Sequence, residues 1–140
     1  MGFFSTLFGA SGEEPVDKES SKSVETKQEE AQRKAEDRQI IEALSDAGSD
    51  LSKLHTLEHH FVTYDRARAD AVIGDSLAVG YKVSEISSME DQSGKTYWCF
   101  DLIKAVVPSE KAIFAESLLM TTLEKKHGIL YDGWGCNVEK

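Results

Sequence analysis

The sequence predicts an α+β domain in which helices pack on one face of an antiparallel sheet. Two observations lead to this prediction. From residue 54 onward, strand-like and helix-like segments follow in the order βαββαβ, and one more helical segment precedes them. The 140 residues, with 40% hydrophobic and 29% charged residues, are ordinary for one globular domain.

The first 26 residues are expected to be a disordered tail and linker, and we place the domain at residues 27–140. Residues 11–26, SGEEPVDKESSKSVET, are polar and bury too little apolar surface to offset the entropy lost on ordering. MGFFSTLFGA is apolar but too short and too poor in basic residues for a secretory signal. We therefore expect residues 1–26 to be mobile and their deletion to leave the stability nearly unchanged.

The N-terminal helix of the domain is predicted over residues 27–47, and Gly48 supplies its stop. Its second half carries an apolar stripe at Ile40, Ile41, Leu44 and Ala47. Its first half alternates charges, which indicates a solvated face. Only the last three turns are therefore expected to dock firmly on the sheet.

Four strands and two further helices complete the predicted domain. The strands are expected at KLHTLEHHFVTY, YKVSEIS, KTYWCFDLIKAVV and ILYDGWGCNVE, with a polar turn at SMEDQSG. Asp65 is the expected N-cap of the helix between the first two strands, Ser109 starts the last helix and Gly128 ends it. The βαββαβ order is the split βαβ, or ferredoxin-like, arrangement. Its usual strand order is 4-1-3-2, with both crossover helices on one face of the two-layer sandwich and the other face open.

Alternation along the strands assigns side chains to the two faces of this sheet. The helix side receives Leu57, His59, Phe61, Trp98, Phe100 and Leu102. The open side then receives Glu58, His60, Cys99 and Asp101. Because the first and third strands are neighbours in the predicted order, we expect Glu58, His60 and Asp101 to lie close together.

The DGWG stretch in the last strand is expected to contribute to the same open face. In a regular strand, Asp132 and Trp134 would point to one face of the sheet, and the two glycines would point to the other. A carboxylate on the helix side would be costly, so Asp132 should face outward and bring Trp134 with it. Trp134 would then form an aromatic wall beside Glu58, His60 and Asp101. The alternative, in which Trp134 is a core residue of an edge strand, stays open.

The sequence contains no recognised catalytic, cofactor or metal motif. It has no nucleophile elbow, phosphate loop or dinucleotide fingerprint. His59 and His60 point to opposite sides of one strand, and no metal-ligand spacing accompanies them. We expect His59 to be a buried, hydrogen-bonded histidine, and we assign no catalytic residue, metal or cofactor.

Charge and cysteine content restrict the partners and the compartment. The net charge of -9 disfavours binding to nucleic acid through its phosphates and is compatible with a basic protein partner. Cys99 and Cys136 lie two strands apart in the predicted order, so two free thiols are expected. No run approaches the ~20 apolar residues of a membrane span. The expected location is the cytoplasm.

The motifs LEHHF, GYKVSE, WCFD and YDGWG, in this order on a βαββαβ framework, resemble the family of regulator of ribonuclease E activity B, RraB. The resemblance extends from about Arg38 to the C-terminus. It implies a ferredoxin-like domain with an added N-terminal helix and three helices side by side on one face. It also implies a bacterial cytoplasmic protein that is not an enzyme, binds ribonuclease E and inhibits RNA cleavage. The apolar N-terminus is not a feature of the family.

The leading functional hypothesis is therefore a monomeric regulator that binds a basic segment of ribonuclease E or of a related RNA-degrading complex. The candidate binding residues are Glu58, His60, Cys99, Asp101, Asp132 and Trp134. An alternative is a small-ligand or metal-binding module, or an undetected hydrolase, that uses the open face. A third hypothesis is RNA binding by the sheet face, against which the negative charge argues.

Overall fold

A computed structural model describes residues 6–8, 14–21 and 23–140 of the chain. It confirms the α+β class. The elements in chain order are β1 (Thr6–Phe8), α1 (Lys27–Asp46), β2 (His55–Thr63), α2 (Arg66–Ala78), β3 (Lys82–Val83), β4 (Ser87–Glu90), β5 (Thr96–Val106), α3 (Glu110–His127) and β6 (Leu130–Asn137).

The sheet is antiparallel and runs in the order β1-β6-β2-β5-β3. β4 also pairs with β5, on the side of β5 that faces away from β2. β3 and β4 together replace the single strand expected at YKVSEIS, and the turn after it begins only beyond Glu90. The sequence does not predict β1, which pairs with β6 at Gly135–Asn137.

The three helices lie on one face of the sheet, where α3 contacts both α1 and α2. One core cluster joins α2 and α3 to the middle of the sheet and includes Phe61, Val72, Phe100, Leu102 and Met120. A second cluster joins α1 and α3 to β2 and β6 and includes Ile40, Leu44, Leu57, Ile113 and Trp134. Within the described ranges, no helix has both the length and the apolar composition that crossing a membrane requires.

The helix ends follow the local sequence. Thr26 and Glu29 form a capping box at the start of α1, because each side chain accepts the backbone N–H of the other residue. The Asp65 and Ser109 side chains cap α2 and α3, as expected. Gly128 ends α3 with a φ of 66°, the left-handed conformation that glycine adopts at little cost.

The expectation that the first half of α1 is only a solvated face is wrong at two positions. Arg33 and Asp37 are 7% and 3% exposed, respectively. They continue the buried stripe of Ile40 and Leu44 toward the N-terminus at helical spacing. α1 therefore docks along more of its length than its apolar residues alone predict.

The described part of the N-terminal segment contacts the domain. The Asp17 carboxylate accepts from the Thr63 hydroxyl at 2.8 Å and from the Tyr64 N–H at 2.9 Å. The backbone N–H of Lys18 donates to the carbonyl of Gly128 at 3.2 Å. Residues 1–5, 9–13 and 22 lie outside the described residues, and the mobility of residues 1–26 stays a prediction.

Candidate functional site

Five of the six candidate residues lie together on the face of the sheet opposite the helices. We call Glu58, His60, Cys99, Asp101 and Asp132 the open-face cluster. His60 and Asp101 are directly opposite each other on β2 and β5, and His60 Nδ1 donates to Asp101 Oδ1 at 2.7 Å. Asp132, on β6, is buried, and its charge acts on His60. The prediction that Glu58, His60 and Asp101 lie close together is confirmed.

The electrostatics of the open-face cluster favour a positive charge at its centre. The hydrogen bond to Asp101 raises the pKa of His60 despite burial, and the charges of Asp101 and Asp132 add to this effect. Burial raises the pKa of Glu58, with a further contribution from Asp101. Burial and Asp101 also raise the pKa of the Cys99 thiol. Cys99 therefore stays protonated, which makes it a poor nucleophile.

A β-bulge in β6 sets the orientation of the DGWG residues. His59 is opposite Trp134, but Phe61 is opposite Tyr131, so both Asp132 and Gly133 lie opposite His60 alone. Gly133 adopts a φ of 87°, which an L side chain rarely adopts. The additional residue shifts the alternation, so Asp132 stays on the side of His60 while Trp134 turns toward the helices. The expected open-face position of Trp134 is therefore wrong.

Trp134 is a core residue that is 2% exposed. Its indole Nε1–H donates to Asp37 Oδ1 at 2.9 Å, and its ring belongs to the apolar cluster that contains Leu57 and Ile113. The alternative interpretation of the sequence placed Trp134 in the core of an edge strand. Its core position is confirmed, but β6 lies between β1 and β2 and is not an edge strand.

A buried polar network joins α1 and α3 beside this tryptophan. Arg33 donates to both carboxylate oxygens of Glu25, at 2.7 and 3.1 Å, and to the hydroxyl of Ser117 at 2.8 Å. Ser117 in turn donates to Asp37. Burial raises the pKa of Asp37 and outweighs the opposing hydrogen bonds from Ser117 and Trp134. Sequence reasoning missed this network. The one signal was the helical spacing of Arg33 and Asp37, which places both residues on the same side of α1 as Ile40.

A second polar network lies between β2 and α3. His59 is fully buried, with Nε2 3.3 Å from Glu116 Oε1 and Nδ1 2.9 Å from the Tyr131 hydroxyl. The Tyr81 hydroxyl donates to the same oxygen of Glu116. Burial alone would raise the pKa of Glu116, but the hydrogen bonds from His59 and Tyr81 lower it. The prediction of a buried, hydrogen-bonded His59 is confirmed.

A cleft of about 750 Å³ lies between α1, α3 and β6, and we call it the edge cleft. Its β6 wall extends from Leu130 to Trp134, so Asp132 belongs to both the edge cleft and the open-face cluster. Among the described residues that line it, the cations are Arg33 and Lys125. The carboxylates that line it are Glu25, Glu29, Glu36, Asp37, Glu124 and Asp132. The edge cleft is therefore strongly acidic.

The polar groups described above are largely held in hydrogen-bonded pairs, such as His60 with Asp101 and His59 with Glu116. No group of three or more His, Cys, Asp or Glu side chains among them is arranged to hold a metal ion. Cys99 on β5 and Cys136 on β6 are free thiols, as predicted, with β2 between their strands.

These features define a small α+β domain with a three-helix layer and an acidic surface at one edge of its sheet. The chain belongs to the family described as regulator of ribonuclease activity B, RraB, whose sequence profile matches residues 34–136. The resemblance read from the motifs is confirmed.

Three relatives, each named regulator of ribonuclease activity B, illustrate this membership. The protein from Actinobacillus succinogenes is 39% identical over 105 residues, which cover 75% of this chain and 74% of the relative. The protein from Haemophilus influenzae is 37% identical over 109 residues, 78% of this chain and 71% of the relative. The protein from Salmonella typhi is 32% identical over 108 residues, 77% of this chain and 78% of the relative.

Proposed function

We propose that this protein is a regulator that binds a ribonuclease E-type endoribonuclease and inhibits its cleavage of RNA, without performing chemistry itself. The observation that carries this proposal is the family match over residues 34–136, which includes every residue of the open-face cluster. The relatives are named for regulation of ribonuclease activity.

The open-face cluster is the proposed contact surface for the ribonuclease. It places three carboxyl groups and one thiol around His60, on three adjacent strands. RNA-binding enzymes present Lys and Arg to phosphates, and a protein of net charge -9 is attracted to the same side chains. Occupation of a basic segment by this surface would exclude RNA from it.

Three finer statements belong to the same proposal. The four strands β6-β2-β5-β3, with α2 and α3, form a ferredoxin-like unit to which α1, β1 and β4 are additions. The protein acts as a monomer. It works in the bacterial cytoplasm, where its ribonuclease partner would meet RNA.

The test is cleavage of a labelled RNA oligonucleotide by a purified ribonuclease E-type enzyme, with increasing amounts of this protein. We expect saturable inhibition that tracks direct binding of the two proteins. Asp101→Asn should weaken inhibition several-fold, whereas Asp46→Asn, an equal charge change at the exposed end of α1, should not. Absence of both binding and inhibition by the wild-type protein would contradict the proposed function. Equal effects of the two variants would contradict only the assigned surface.

A further inference from the structure

We propose that the edge cleft is a second docking surface for the same partner and that it receives an arginine side chain from a basic segment. This inference rests on the proposed function, because it names how the ribonuclease would be held. It assigns a role to the cleft between α1, α3 and β6, which lies beside the open-face cluster and shares Asp132 with it.

The shape of the edge cleft fits a side chain better than an added strand. Along its β6 wall, the N–H of Tyr131 already donates to Glu124 Oε2 at 2.8 Å. The bulge at Asp132 and Gly133 interrupts the regular spacing that a partner strand would need. A partner must therefore enter with side chains, and about 750 Å³ accommodates one or two long ones.

The chemistry of the edge cleft favours a cation with a planar, forked head group. Six carboxylates and two cations among the described residues give its lining a net charge of -4. Burial raises the pKa of Glu124, so a cation placed beside this carboxylate would relieve an unfavourable charge. Glu36 is exposed at the rim, where it would meet the incoming segment first.

Arg33 shows how this cleft holds a guanidinium group. Glu25 binds it through two parallel hydrogen bonds, while its Nη1 reaches the carbonyl of Phe114 at 2.9 Å and the hydroxyl of Ser117. Bidentate pairing of this kind distinguishes arginine from lysine, whose ammonium group is a point charge. Because Arg33 already occupies both oxygens of Glu25, an incoming group would meet other carboxylates of the lining, such as Glu36 and Glu124. Paired in the same way, these carboxylates would favour arginine over lysine from the partner segment.

Two matched substitutions on α1 test the inference. In the described part of the chain, neither Glu36 nor Glu42 makes a hydrogen bond or an ion pair, and only Glu36 lines the edge cleft. Glu36→Lys and Glu42→Lys change the net charge equally. Glu124→Gln provides a second cleft variant that keeps an oxygen acceptor for the Tyr131 N–H.

The measurement is calorimetric titration of the full chain with an arginine hexapeptide and with a lysine hexapeptide, followed by titration with the ribonuclease. We expect tighter binding of the arginine peptide. Glu36→Lys and Glu124→Gln should each weaken it by about tenfold or more, with Glu42→Lys within about twofold of the wild type. The ribonuclease affinity should fall in parallel. Thermal unfolding of each variant checks that it is folded.

Two outcomes separate the failure of this inference from that of the proposed function. If Glu36→Lys and Glu42→Lys weaken binding equally, or if the two peptides bind alike, the attraction is general and the edge cleft is not the docking site. The proposed function then stands as long as the wild-type protein binds the ribonuclease. If the wild-type protein does not bind the ribonuclease, the proposed function fails, and with it the identity of the partner.

Discussion

At the scale of single residues, the contact between Trp134 and Asp37 ties the last strand to the first helix. The indole fills the space among Ile40, Leu57 and Ile113, and its N–H satisfies one oxygen of a buried carboxylate. Removing the indole would leave both a cavity and a poorly satisfied Asp37.

Trp134→Ala is accordingly expected to destabilise the domain by about 3–5 kcal/mol, as truncation of a buried large aromatic typically does. Urea unfolding monitored by circular dichroism measures the loss. Trp98→Ala is the matched comparison, because Trp98 is only half-buried and lies against the Arg66 guanidinium at 5.1 Å. A larger loss for Trp98→Ala than for Trp134→Ala would mean that the two tryptophans have been assigned to the wrong environments.

The His60–Asp101 pair gives the stability a pH dependence. The pKa of His60 is raised in the folded protein, so protonation stabilises the native state. This contribution is fully present below the unfolded pKa of about 6.5 and is lost as the pH rises through the raised folded pKa. Between these limits the wild-type protein should lose stability relative to His60→Gln. If the urea midpoints of the two proteins change with pH in the same way, the pKa of His60 is not raised by its bond to Asp101.

At the scale of elements, the bulge in β6 sets which residues that strand presents to each face. Gly133→Ala should cost about 1–2 kcal/mol, because a Cβ at a φ of 87° is strained. Gly74→Ala on α2 is the control, since no atom lies within 4 Å of its added Cβ. It should be neutral or stabilise by up to about 1 kcal/mol. Thermal unfolding of both variants measures the difference, and similar melting temperatures would show that the bulge tolerates a side chain.

The strands also show where alternation along a sequence is a sufficient guide. In β2 and β5 the register is regular across nine residue pairs, so the faces of His59, His60, Phe100 and Asp101 could be predicted. In β6 the bulge adds one residue that has no partner of its own on β2. Beyond that residue, the positions that face the helices are the ones that simple alternation assigns to the open face. Alternation carries no information about such an insertion, although a glycine beside Asp132 was compatible with one.

α1 illustrates a different limit. Its buried side depends on pairs of opposite charge, and hydrophobic periodicity counts Arg33 and Asp37 as solvent-facing. Their burial becomes favourable only because Glu25, just before the helix, and Ser117 and Trp134, from distant parts of the chain, supply partners. A sequence pattern does not show such partners until the elements have been assembled. The acidic edge cleft was unpredictable for the same reason.

At the scale of the whole molecule, polar pairs join layers that apolar contacts alone would leave less specifically aligned. Asp37 with Trp134 connects α1 to β6, and His59 with Glu116 connects the sheet to α3. Breaking a buried pair costs more than the pair itself contributes, because one uncompensated polar group remains. We therefore expect these pairs to restrict how the helices are positioned on the sheet, and with it the walls of the edge cleft.

The segment before α1 is part of this assembly, and two truncations test its contribution. Removing residues 1–13 keeps Asp17 and Glu25, whereas removing residues 1–26 leaves Thr63 and Arg33 without these partners and also deletes Thr26, the N-cap of α1. Composition alone predicts that deleting residues 1–26 leaves the stability nearly unchanged, but these contacts lead us to expect the longer truncation to be less stable than the shorter one by about 3–5 kcal/mol. The buried guanidinium of Arg33 would lose both hydrogen bonds to Glu25 and keep only Asp37, at 3.9 Å, as a carboxylate partner. Urea unfolding of both truncated proteins measures this difference. Equal stabilities would mean that these contacts contribute nothing, and that the segment is as mobile as its polar composition predicts.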